Sequence, residues 1–194
     1  MNTRALSLIV IFTALAAALN VYGPKIPFPL APFLFFSFWE IPIAIAFLLI
    51  GPKSGIIVSA INTLILLAVF PGALPSGPLY NWVAVLAMLL GIFIPYWVAK
   101  RGCKTENLGS YLNRHIALIT LSSTALGVIL RVLVMTFVNY FALQQPYPIG
   151  FSFPEIDVLL FLPVGAAFNA IVAIYTTLLA IGITIALLRR IKLQ

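Results

Sequence analysis

Residues 157–188 read DVLLFLPVGAAFNAIVAIYTTLLAIGITIALL, and after Asp157 no residue in the stretch carries a formal charge. A helix crossing the hydrocarbon core of a bilayer needs about 20 predominantly apolar residues. This stretch exceeds that length, and Arg189 and Arg190 follow it as basic residues do at a membrane surface. Five further runs of the same character precede it, over approximately 4–22, 33–50, 54–71, 79–99 and 115–142. Gly23-Pro24, Gly51-Pro52, Pro71-Gly72 and Gly77-Pro78 mark boundaries with residues that end helices. The expectation is an all-α integral membrane protein, a single domain over residues 1–194 built as a compact bundle of six transmembrane helices. The fifth and sixth runs are long enough to tilt or to project beyond the bilayer.

Composition agrees. Of 194 residues, 63% are hydrophobic and only 8% charged, whereas a soluble domain carries about 25% charged residues. So few charges cannot cover a water-facing surface, and so much apolar residue excludes disorder. The net charge of +7 lies in short clusters between the apolar runs. Nucleic-acid binding needs basic residues gathered on one exposed face, so the expected contact is the lipid bilayer and no nucleic acid. Cys103 and His115 are the sole residues of their kinds. They allow neither an intrachain disulfide nor a Cys/His metal cluster, and no metal or cofactor is expected.

Six spans place both termini, the 51–53 turn and the 100–114 loop on one side. That side holds Arg4, Lys53, Lys100, Arg101, Lys104, Arg114, Arg189, Arg190 and Lys192; the other holds Lys25 alone. The asymmetry predicts that both termini are cytoplasmic, in the plasma membrane. Arg4 and Ala16-Ala17-Ala18 give the first run some likeness to a signal peptide. Its loss would leave five spans and remove Arg4 from the count, so the intact bundle is preferred.

With that orientation the polar residues inside the runs become informative, because burying them in lipid is costly. Glu40 in the second run and Arg131 in the fifth both fall about 10–16 Å below the outer ends of their helices, at 1.5 Å per residue. A Glu40–Arg131 pair is geometrically possible; the readings are a buried structural ion pair, Arg131 snorkelling outward, or a polar contact to a ligand. Asn81, Asn139 and Gln144-Gln145 lie at the outer level, with Asn62 and Asn169 deeper. Amides converging from several helices suit a binding pocket, although interhelical bonding explains any one of them. Most of the 25 aromatic residues are also outward, among them Phe33, Phe36, Phe38, Trp39, Tyr80 and Tyr140. An interfacial belt explains many, while the excess over the inner side suits a flat aromatic ligand. The Pro-rich segment Gly23 to Pro32 is placed to form a stiff cap.

Ala14 and Ala18, four apart in the first run, form a small-residue strip that lets another helix approach closely. Packing within the bundle is the simpler use, and docking of a partner protein the other. The chain lacks a phosphate-binding Gly-x-x-x-x-Gly-Lys-Ser/Thr loop, a Gly-x-Ser-x-Gly elbow and a His-Glu-x-x-His motif. No catalytic residue is therefore assigned. The one close acidic pair, Glu155 and Asp157, keeps a metal-dependent lipid-processing enzyme as a distant alternative.

Several fragments, in order along the chain, resemble one family. Trp39-Glu40-Ile41-Pro42 followed by Gly51-Pro52-Lys53-Ser54-Gly55 is similar to a Ser-Asp-x-Pro and Gly-Pro-x-x-Gly pair. Gly77-Pro78-Leu79-Tyr80-Asn81-Trp82 is similar to Gly-x-x-Ala-Asn-Phe, and Met135-Thr136-Phe137-Val138-Asn139-Tyr140 to Met-[Ser/Thr]-x-x-Asn-Tyr. Phe168-Asn169 is similar to a Pro-Phe-Asn element, with Ala167 at the proline position. These belong to the substrate-binding S components of energy-coupling factor (ECF) vitamin transporters, and the chain most resembles the riboflavin-specific branch. The resemblance implies a six-helix protein that binds a vitamin near the outer face. It further implies association with a membrane coupling protein and two cytoplasmic ATPases, through small residues such as Ala14 and Ala18. Glu40, Asn81, Arg131, Asn139, Tyr140 and Asn169 become the candidate substrate-binding residues. Four positions depart from the riboflavin pattern: Val172 and Asn62-Thr63 stand where that branch carries Lys and Lys-Asn, and Arg131 where it is apolar. Another small vitamin or heterocycle is the alternative substrate.

Overall fold

Every long apolar run except the second folds as one helix. The computed structural model describes residues 3–69, 74–102 and 114–190. Cys103, Lys104, Lys192 and the Pro71-Gly72 boundary lie outside them. In chain order the described elements are α1 (Thr3–Tyr22), β1 (Ile26–Phe28), β2 (Ala31–Phe36), α2 (Glu40–Leu49), α3 (Pro52–Val69), α4 (Gly77–Gly102), α5 (Ile116–Ala142) and α6 (Glu155–Arg190). Five of these helices, all but α2, are long and apolar enough to cross a membrane. The chain is a multi-pass membrane protein. At 36 residues, α6 extends about 54 Å, well beyond a hydrocarbon core of about 30 Å.

The second run corrects the all-α expectation. Its first part is strand β2, which pairs antiparallel with β1, Ile26 opposite Phe36 and Pro27 opposite Phe35. Pro27, Pro29 and Pro32 deny this segment helical hydrogen bonds, and the chain turns back on itself at Pro29-Leu30. The helical remainder, α2, has only ten residues, eight of them buried. A helix apolar on all sides is a core helix as readily as a membrane span. Here α2 lies inside the protein, against α1, α3, α4 and α6, and its apolarity serves packing rather than lipid contact.

Around α2, helices α4, α5 and α6 form an antiparallel row, and α1 rests on α2 and α3. Glycines set two close crossings. A β-carbon at Gly91 would lie 2.5 Å from the Leu126 carbonyl oxygen, and one at Gly55 would lie 2.5 Å from the Phe47 β-carbon. The turn from α2 to α3 passes through Gly51 at φ +136°, a backbone conformation that favours glycine. The β-hairpin lies at one end of the bundle, with the starts of α2, α4 and α6. The Gly51 turn lies at the opposite end, with the ends of α4 and α6.

Candidate binding site

Glu40 is the first residue of α2 rather than a residue well inside a span. A carboxylate in a helix's first turn suits the positive end of its dipole. Directly across from it, α5 presents Arg131. The guanidinium forks onto the carboxylate, Nη1 donating to Oε2 and Nη2 donating to Oε1 at 2.9 Å. Its Nε donates to Asn169 Oδ1 at 3.0 Å, and Asn169 Nδ2 donates to the Gly165 carbonyl at 2.9 Å. Met88 Sδ on α4 lies 3.7 Å from Nη1. Glu40, Arg131 and Asn169 are 4%, 2% and 6% exposed. Three residues from three helices thus form one buried, mutually satisfied network.

The other candidate residues lie outside this network. Asn139, on α5, packs where α6 is bare: a β-carbon at Gly165 would stand 3.4 Å from its Nδ2. Gly165 therefore adjoins both Asn139 and, through its carbonyl, Asn169. Tyr140 is engaged at the margin, its hydroxyl donating to Glu155 Oε1 at 2.7 Å. That bond also occupies one member of the Glu155/Asp157 pair. Asn81 is exposed on the first turns of α4, away from the network. Its neighbour Tyr80 donates to the Ile149 carbonyl at 2.7 Å, and Ser76 donates to the carbonyls of Pro148 and Ile149.

The hairpin closes this end. Phe36 stacks on Phe168 at 5.2 Å between ring centroids, with Phe28 beside both at 5.4 and 5.7 Å. Phe33 stacks on Phe161. The Tyr175 hydroxyl donates to the Ser37 carbonyl at 2.6 Å, tying the hairpin's exit to α6. The Pro-rich segment thus caps the bundle as a hairpin. Phe168 immediately precedes Asn169, so the aromatic cap and the polar network are joined through consecutive residues of α6.

Two features lay beyond sequence reasoning. Trp82 Nε1 donates to Ser59 Oγ at 3.1 Å, linking α4 to α3. One turn from Ser59, fully buried Asn62 has neither amide atom paired with protein. A buried amide normally finds a partner, so Asn62 marks a second polar position in the core. Its burial follows the spacing of Gly55, Val58, Ser59, Asn62 and Leu66 along one face of α3, but an unpaired amide leaves no trace in sequence.

Ala14 and Ala18 are exposed, while Thr13 and Ala16 are buried. Ala14 and Ala18 therefore face away from the core of the bundle.

No protein-family model matches the chain, and no curated protein does. A solved structure described as that of the S component of a bacterial ECF transporter is similar, with a TM-score of 0.70 and 23% sequence identity. The likeness covers 98% of this chain and 96% of that one. At that identity it establishes a shared fold.

Proposed function

We propose that this chain is the substrate-capturing subunit of an ATP-driven ECF-type importer, binding riboflavin or a related vitamin at the outer face. The observation that carries the reading is the end-to-end likeness to an ECF S component, found in a chain without a phosphate-binding loop. Nine basic residues against Lys25 support a cytoplasmic location for both termini, which makes the hairpin end the outer one. There an aromatic cap overlies amides on α5 and α6, a combination of apolar wall and few polar groups that suits a small heterocycle. Ligand entry separates Phe28 and Phe36 from Phe168. The exposed Ala14/Ala18 strip supports docking of a membrane coupling protein, with two ATPases as the separate engine.

One observation favours a vitamin other than riboflavin. Arg131 engages both Asn169 and Glu40, and buried Val172 stands where the riboflavin branch carries lysine. Much of the polar capacity of that pattern is thereby spent internally, and Asn139 and Asn81 remain for the ligand, with Tyr140 already bonded to Glu155. Titration of the purified protein with riboflavin tests the choice. Quenching of flavin fluorescence at micromolar or lower concentration supports riboflavin; its absence, with quenching or calorimetric binding of another vitamin, assigns the alternative.

A further inference from the structure

At the end opposite the hairpin, the ends of α2, α4 and α6 enclose a cavity of about 320 Å³ lined by Phe47, Ile50, Phe93, Tyr96, Trp97 and Leu188. Its one phenol is already satisfied, Tyr96 donating to the Leu48 carbonyl at 2.8 Å. Apart from Tyr96 and Trp97, the side chains that line it are wholly apolar. An apolar chain suits the space. Its margin is cationic: the Arg101 guanidinium lies 3.5 Å from the centroid of the Trp97 ring, and exposed Lys53 follows Pro52, which also lines the cavity. Among the described residues the carboxylates are Glu40, Glu155 and Asp157, all toward the hairpin end. An amphiphile with its tail in this cavity would place its head beside positive charge.

We propose that the cavity is a binding site for an anionic phospholipid, with one acyl chain between Phe93, Trp97 and Leu188 and the phosphate held by Arg101 and Lys53. The charge arrangement selects this occupant over a zwitterionic lipid. Tryptophan at the membrane interface, with a cation on its face, matches the level of a headgroup. The inference depends on the chain spanning a membrane and not on which vitamin it binds, so vitamin binding and lipid retention fail independently.

The test is native mass spectrometry of the full chain exchanged into detergent with equal amounts of phosphatidylglycerol and phosphatidylcholine. The wild type is expected to retain phosphatidylglycerol preferentially. Arg101→Gln is expected to lower that preference about fivefold, the usual effect of one basic side chain near a membrane surface, and Arg101→Lys to keep most of it. Leu188→Trp, which fills the cavity, is expected to lose the lipid. Should that variant fail to fold, the Arg101 pair decides alone. Equal retention of both lipids by the wild type, or an unchanged preference in Arg101→Gln, overturns the proposal. So does a wild type that carries no lipid while Leu188→Trp abolishes association with a second polypeptide, which would make the cavity a protein-docking site.

Discussion

Glu40 and Arg131 show what a single residue can and cannot disclose. Their cost in lipid made them stand out in the sequence, and their levels matched. That Arg131 also engages Asn169 was not legible, because a side chain's partner depends on how its helix is rotated. The network sets a definite expectation for stability. Removing one member of a buried ion pair leaves an uncompensated charge and costs about 3–5 kcal/mol. Glu40→Gln and Arg131→Met should each lower stability by that order in detergent unfolding, and Glu40→Gln combined with Arg131→Met should recover most of it. If the single variants instead unfold like the wild type and lose only ligand affinity, the pair belongs to the ligand rather than to the scaffold.

Elements were read well where hydropathy and length agreed, as for α3 to α6, and misread where they diverged. Residues 33–50 have the hydropathy of a span, yet α2 is a ten-residue core helix behind a β-hairpin. Apolarity reports burial and does not distinguish burial in lipid from burial in protein. The prolines foretold a stiff cap but not strand pairing, which depends on two segments meeting. Phe28, 4% exposed, anchors that hairpin on α6. Phe28→Ala should cost about 3–5 kcal/mol locally, speed hydrogen exchange over residues 26–36 and weaken ligand binding; unchanged exchange would show that Phe28 does not anchor the hairpin. For α1, the sequence leaves two uses of its alanines open, and Ala14 and Ala18 are exposed where a partner helix could reach them. Ala14→Trp should reduce pull-down of the coupling protein while leaving vitamin affinity unaltered. Undiminished pull-down would place the docking face elsewhere.

For the whole molecule, the distribution of charge carries the orientation, and it is open to direct test. In a Cys103→Ser background, Lys25→Cys should react with an impermeant thiol reagent added to intact cells, and Lys53→Cys should react only after the cells are opened. The reverse pattern would invert the molecule and put the hairpin in the cytoplasm. Substrate capture itself is tested most directly by native mass spectrometry of the protein purified from its own membrane. The expected result is one small heterocycle bound per chain, at a mass well below that of a lipid, and lost in Asn139→Ala. A chain that carries lipid alone, and gains no small molecule when vitamins are supplied, would contradict the assignment as a substrate-capturing subunit.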